Sequence, residues 1–320
     1  MSVLMDLITG ATGFIGQHLA YNLAKNGRPC RLLARNIQSD EGAHIVDLND
    51  MNALLSLCSG IDCVFHCAGH AHAFSSMRET DAQQHWQINF EGTRNLVEAA
   101  GQAGVKRFVF LSSVKAMAEP GDICAEEEFP GQPITAYGQS KRAAEEAVLE
   151  AGARYGMHVV NLRLSMVYGS GGRGNLERMG RLVRKGWFPP LPETGNHRSL
   201  VHVDDVVDVM RLVAEDDRAS GRTYIVTGPQ DPSGRELFDA MRRALGLPPC
   251  QWAVPESALR LAAHCGDGLE RLFKRRFPLD SEVLDRLLGS AWYSSARIER
   301  ELGWRAKVSL AEGLREMFGQ

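Results

Sequence analysis

The sequence predicts an α/β fold in which a parallel sheet is covered by helices on both faces. Three observations predict it. Short apolar runs alternate with helical stretches through the first half of the chain, and strands separated by helices require crossovers rather than hairpins. A glycine turn, Gly10-Ala11-Thr12-Gly13-Phe14-Ile15-Gly16, stands between the first run and the first helical stretch. The 320 residues are 44% hydrophobic and 23% charged, an ordinary globular mix long enough to bury a sizeable core.

Val3 to Thr9 is a short apolar run, and residues 14–27 (FIGQHLAYNLAKNG) form a helical stretch that Gly27 ends. Residues 29–35 (PCRLLAR) read as a second strand, 43–48 (AHIVDL) as a third and weaker one, and 62–69 (DCVFHCAG) as a fourth. From Gln84 to Gly104 an apolar helical period continues unbroken. RFVFLSS, 107–113, is a fifth strand, Ala136 to Tyr155 a helix rich in Ala, Glu and Lys, and 158–169 (HVVNLRLSMVYG) a sixth strand. The second half is less regular. Gly169 to Asn175 (GSGGRGN) marks a boundary, and 187–197 (WFPPLPETGNH) is a proline-rich loop. SLVHV and TYIVTG read as strands flanking the helix DDVVDVMRLVAE, and the remainder is mostly helical, without repeats.

Composition excludes several classes. The net charge of −3 leaves no nucleic-acid footprint. No apolar run reaches the roughly 18 residues of a membrane span, so no membrane insertion is expected. The start reads straight into a strand, with no basic segment and cleavage site. Seven cysteines at irregular spacing, with no C-x-x-C, indicate free thiols and a cytoplasmic location. His66, His70 and His72 cluster, but no Cys or carboxylate pattern completes a zinc set, so no metal is expected. His72 follows a strand end and is expected to line a pocket. The basic run Arg271 to Arg276 reads as a solvated helix face.

A glycine turn between strand and helix lets the backbone approach a pyrophosphate, while the helix N-terminus supplies oriented N–H groups. The spacing here is G-x-x-G-x-x-G. The second strand ends Ala34-Arg35, where NAD-binding chains usually carry an acid for the ribose hydroxyls. Arg35 suits a 2′-phosphate instead, which favours NADPH over NAD. Asp47, after the third strand, is placed for the adenine. Tyr137 and Lys141 are four apart on a helix and share a face. A lysine beside a phenol favours the phenolate, so Lys141 is expected to lower the Tyr137 pKa. Ser113 ends a strand at the edge where parallel sheets bind ligands, and can hold the same oxygen that Tyr137 protonates.

TGATGFIG, Asp47-Leu48, HCAG, Asn89, LSS and YGQSK together resemble the extended short-chain dehydrogenase/reductase (NAD-dependent epimerase/dehydratase) family. RLSMVYGSGGRGN, HRSLVHVDDVVD and SSARIERELGW match its later segments in order, so the resemblance spans essentially the whole chain. It implies a Rossmann-type doubly wound sheet over residues 1–168, to which 199–227 return. A smaller, mostly helical C-terminal substrate domain would take 169–198 and 228–320. Ser113, Tyr137 and Lys141 become the catalytic set. Gly10, Thr12, Gly13, Phe14, Ile15, Gly16, Arg35, Asp47, Leu48, Ala68, Gly69, Asn89, Tyr137, Lys141 and Leu164 become cofactor contacts, with Asn89 and the segment 163–167 near the nicotinamide. The resemblance places Asn175 and Arg198 on a nucleotide-sugar diphosphate and the loop from Phe188 to Leu191 on a uridine, with Arg286 or Arg297 at its ribose. His72, Ser113 and Lys115 complete the expected substrate contacts. The chain departs from the family pattern at Ser165, where a proline is usual, and at Met117-Ala118, where Tyr-Gly is usual.

Dehydratases of this family carry Asp-Glu directly after the active-site hydroxyl, where this chain has Val114-Lys115. Elimination is therefore not expected. SSVKAM, HRSLVHVDD and LLGSAWYSSARIERELGW look most like O-antigen and surface-polysaccharide enzymes that reduce UDP-4-keto-6-deoxy-N-acetylhexosamine to UDP-N-acetylfucosamine or UDP-N-acetylquinovosamine. The alternatives are a UDP-hexose 4-epimerase with retained NAD and a non-enzymatic dinucleotide sensor. The Tyr–Lys pair argues against the sensor, and Arg198 against an uncharged steroid-like substrate. Two helices, 84–104 and 136–155, are the surface on which the family forms homodimers.

Overall fold

The computed structural model describes residues 4–34, 43–70, 79–172, 174–273 and 280–319. The chain opens with β1 (Asp6–Thr9), α1 (Phe14–Lys25), β2 (Cys30–Ala34), β3 (Ala43–Ile45), α2 (Met51–Cys58) and β4 (Cys63–His66). There follow α3 (Glu79–His85), a π-helical turn (Trp86–Glu91), α4 (Gly92–Gln102), β5 (Arg107–Ser113), α5 (Ala136–Tyr155) and β6 (His158–Leu164). Beyond these come β7 (Met166–Tyr168), α6 (Asn175–Arg184), β8 (Leu200–His202), α7 (Val203–Glu215), β9 (Arg222–Val226) and α8 (Gly234–Ala244). Four helices finish the chain: α9 (Glu256–Phe273), α10 (Ser281–Leu288), α11 (Ala296–Leu302) and α12 (Leu310–Phe318).

Seven strands form one sheet in the order β3-β2-β1-β4-β5-β6-β9, and every neighbouring pair is parallel. This is the doubly wound Rossmann-like α/β arrangement the alternation predicts. Strand alternation divides the core. Ile8, Phe65, Val109 and Leu111 face α1 and α7, while Leu7, Val64, Phe108 and Phe110 face α2, α4 and α5. The strand order reverses between β1 and β4, and in such sheets the crevice beyond the strand ends at that point is where ligands bind. A third core joins β7, β8, α6, α8 and α12 through Tyr168, Leu176, Leu200, Phe238 and Phe318. Leu191, Leu259, Leu284 and Leu288 form a smaller cluster beneath α9 and α10.

Two elements differ from the sequence reading. The run 158–169 is not one strand. It breaks after Leu164, where Ser165 donates to the Val226 carbonyl at 3.0 Å, and its second half pairs with β8 in a separate two-stranded sheet. The Gln84–Gly104 helix is interrupted, because the turn from Trp86 to Glu91 widens to π geometry before α4 resumes. An apolar period does not register one extra residue in a turn, and such turns are frequent at functional sites. No described helix is long and apolar enough to cross a membrane.

Candidate active site

The crevice is built from the glycine turn upward. Gly10 has φ +67°, and a Cβ on it would lie 2.7 Å from Ala68 N, so only glycine lets β1 and β4 end this close together. A Cβ on Gly16 would run into Gly10 O. Helix α1 therefore starts directly on the turn, at Gly13, with no side-chain cap and no acid in its first turn. Its free N–H groups and positive end face the crevice, a cradle for a phosphate. Gly69 continues this floor: a Cβ there would lie 3.3 Å from Lys141 Nζ and 3.4 Å from Asn89 Oδ1. The bare path from Gly10 past Gly69 to Lys141 fits a bound dinucleotide.

The two serines of β5 part company, as alternation demands. Ser112 is buried and donates to Glu145 Oε1 at 2.6 Å. Glu145 is clasped by Arg163, with Nε at 3.0 Å from Oε1 and Nη2 at 2.8 Å from Oε2, and both side chains are almost fully buried. Ser113 is only partly buried and caps the short turn Val114–Ala116, accepting from Lys115 N at 3.2 Å. Its hydroxyl is also the neighbour that draws the Tyr137 pKa down. Helix α5 brings Tyr137 there because Thr135 caps it, accepting from Gly138 N at 3.1 Å. Gly138 in turn lets the helix end press against the Lys115 carbonyl.

Lys141 corrects one expectation. It shares the helix face with Tyr137, but its ammonium turns to the sheet. It donates to Leu111 O at 2.8 Å and sits 4.6 Å from the Phe110 ring centre. Burial lowers its pKa to about 8, against the opposing pull of Glu145 and Cys67. The Tyr137 phenol is pushed up by burial and partly drawn back by Ser113. The phenol is thus held in its protonated form.

Asn89 sits on the π-helical turn. It accepts from His70 N at 2.7 Å, donates to His70 O at 3.1 Å, and donates to Ser140 Oγ at 3.2 Å. His85, which the sequence did not single out, packs edge-on against the Tyr137 ring at 5.5 Å and contacts His70 O at 3.1 Å. No periodic or motif signal marks His85, because its partner lies 52 residues away (137 − 85). His66 is fully buried between Thr9 Oγ1 at 2.6 Å and Thr93 Oγ1 at 2.8 Å, stacked on Phe110. Burial lowers its pKa to about 3. Between pH 6.5 and 3 the unfolded chain therefore binds a proton that the folded chain refuses, so stability should fall as pH drops through that window. Urea unfolding from pH 7 downward should show this slope, flattened by about one proton in His66→Gln.

The remaining expected contacts are distributed as follows. Arg35 and His72 lie outside the described residues. Thr12 lies in the glycine turn, and Phe14 and Ile15 open α1 directly after it. Asp47 is exposed and accepts from Asn49 N and Nδ2, each at 3.0 Å, and Leu48 packs under Gly92. Leu164 is buried in the core at the end of β6, while Arg163 turns to Glu145. Lys115 is half-exposed and paired with Glu119 at 2.6 Å. Arg198 lies largely enclosed beside Ala291, with Nη1 at 3.3 Å from Gly289 O. Burial lowers its pKa, and Arg286 adds to this while the nearby Tyr293 opposes it. Arg286 is thus the neighbour of Arg198, whereas Arg297 is engaged by Glu128 and Glu301. Asn175 is exposed at the start of α6. Phe188 stacks on Phe238 at 6.1 Å, and Leu191 is buried among Leu259, Leu284 and Leu288.

Residues 7–227 match the model of the NAD dependent epimerase/dehydratase family. The chain is 30% identical to a UDP-glucose 4-epimerase of Vibrio cholerae, over 97% of this chain and 93% of that protein. It is 27% identical to a 2-alkyl-3-oxoalkanoate reductase of Stenotrophomonas maltophilia, over 97% of each chain. Among solved structures, MoeE5 in complex with UDP-glucose and NAD superposes with a TM-score of 0.77 at 27% identity, covering 98% of this chain and 97% of that one.

Proposed function

The chain belongs to the NAD dependent epimerase/dehydratase family, and from that membership we propose that it is an NAD(P)-dependent oxidoreductase acting on C4 of a UDP-sugar. The finer reading is reduction of a UDP-4-keto-6-deoxy-N-acetylhexosamine. One observation carries it: Ser113 and a protonated Tyr137 meet at the end of β5 with Val114 and Lys115 beside them, where a dehydratase needs a carboxylate pair. Lys115 is tied to Glu119, which balances its charge.

A nicotinamide held on this floor would supply the hydride. The protein supplies the rest. Tyr137 gives its proton to the C4 oxygen, and a phenol kept neutral by burial is the form that donation needs. Ser113 holds the same oxygen in line. Lys141, fixed on Leu111 O beside Gly69, presents a cation to the ribose hydroxyls. Arg198, largely enclosed with Nη1 on the Gly289 carbonyl and Arg286 nearby, matches the sugar diphosphate, whose charge would offset its burial. The second reading, a UDP-hexose 4-epimerase, draws on the 30% identity to the Vibrio cholerae enzyme.

The cofactor separates the two. An epimerase returns hydride to the same sugar and gains by retaining NAD, whereas a reductase must exchange its cofactor every turn. With Arg35 at the end of the second strand, purified protein should consume NADPH on the 4-keto sugar in roughly ten- to hundredfold preference to NADH, one charge-assisted contact being worth about 1.5–3 kcal/mol. The preference should vanish in Arg35→Asp. Stoichiometric NAD in the purified protein, with UDP-hexose interconversion and no net NADPH consumption, would establish the epimerase instead.

A further inference from the structure

The C-terminal ends of α6 and α8 frame a groove of about 540 Å³. Val183, Phe188, Pro190, Phe238 and Val254 line it, and Trp187 and Trp252 form its lips. The two tryptophans are 73% and 63% exposed, whereas Trp304 is 4% exposed in the core. Two large rings left in water on one groove mark a surface that something covers.

Cations stand beside it. Arg242 lines the groove, Lys185 lies over Trp187, and Arg181 and Arg184 are exposed on α6 just before Lys185. Among the described residues none of these four forms an ion pair. The cations are also organised around the apolar surface. Lys185 Nζ lies 5.2 Å from the Trp187 ring centre. Arg242 lies 5.7 Å from the Phe238 ring centre and is pinned by the Pro248 carbonyl, with Nε at 3.0 Å. A chain of net charge −3 thus gathers unpaired cations around its exposed tryptophans.

We infer that this face docks on an anionic phospholipid bilayer, with Trp187 and Trp252 entering the headgroup layer and the cations meeting lipid phosphates. Indole rings settle at that depth because one edge is apolar and the N–H still finds a partner. Arginine and lysine on long stems reach phosphates while their methylenes lie on the apolar surface. A second copy of this chain is a poorer occupant, since a two-fold contact would set the same cations against each other. The attachment lies on the membrane surface and inserts no span.

The test is co-sedimentation of the purified full chain with sucrose-loaded vesicles of phosphatidylglycerol and phosphatidylcholine in roughly a 3:7 ratio. The protein should pellet with these at low salt, and much less with phosphatidylcholine alone or in high salt. The double variant Trp187→Ser, Trp252→Ser should bind at least about tenfold more weakly with an unchanged thermal midpoint. The pair Arg184→Glu, Lys185→Glu, at exposed positions, should lose at least about fivefold per cation. No sedimentation with anionic vesicles would overturn the inference. Binding unaltered by loss of both tryptophans, a dimer that disappears in the same variants, or tighter capture of single-stranded RNA by the same residues would overturn it as well.

Discussion

Tyr137→Phe is expected to lower turnover by roughly 10²–10⁴-fold, the range for loss of a positioned general acid, while the thermal midpoint stays near that of the unaltered protein. Ser113, itself partly exposed, keeps its bond from Lys115 N when the phenol oxygen is removed, so no deeply buried group is stranded. The aromatic ring, which packs against His85 at 5.5 Å, is kept. Steady-state assays with the 4-keto sugar and NADPH should therefore show kcat and kcat/KM falling together with KM little changed, the sign of an interaction made only in the transition state. Because the phenol is raised above its ordinary range by burial, the unaltered enzyme should show no loss of activity from Tyr137 ionisation near neutral pH. Near-normal turnover in the purified variant would remove Tyr137 from proton transfer.

Glu145→Leu should produce the largest loss of stability. Arg163 would keep its buried guanidinium without a counter-charge, and Ser112 would lose its acceptor. Breaking one side of such a pair costs about 3–5 kcal/mol, because the remaining charge has neither water nor partner. A fall in Tm on the order of 10 °C follows. The double variant Glu145→Leu, Arg163→Met should recover most of it, since two apolar side chains of similar size leave nothing unpaired. Urea unfolding of the cofactor-free protein measures both, and a loss below about 1 kcal/mol in the single variant would contradict the buried pair. Glu145 also supports the positive charge of Lys141, which burial has already brought to about 8. Any pH limb of activity set by Lys141 should therefore move to lower pH in Glu145→Gln.

How much was legible in advance depended on range. Helix α5 could be read from Ala136 to Tyr155 at both ends, because Thr135 caps it and Gly156, at φ +63°, stops it. Strand β5 and the glycine turn were equally clear, since steric needs within a few residues dictate them. Ser112 and Ser113 could not be told apart from their neighbours alone. Only the packing of α5 decides that one meets Glu145 and the other Tyr137. The Trp86–Glu91 turn escaped notice because one added residue barely alters an apolar period.

By itself the sequence determined the parallel α/β sheet, the phosphate-ready turn and the Tyr–Lys spacing, each set by periodicity, chirality or backbone sterics over short stretches. Only the tertiary structure decided which way Lys141 points. An i, i+4 spacing places two side chains on one face but does not choose their partners, and here the ammonium takes a carbonyl and an aromatic ring on the sheet. The same holds for the Glu145–Arg163 pair, Arg198 beside Ala291, and the cations gathered around Trp187 and Trp252. These depend on residues distant in the chain, brought together by burial of apolar surface that carries no directional information of its own.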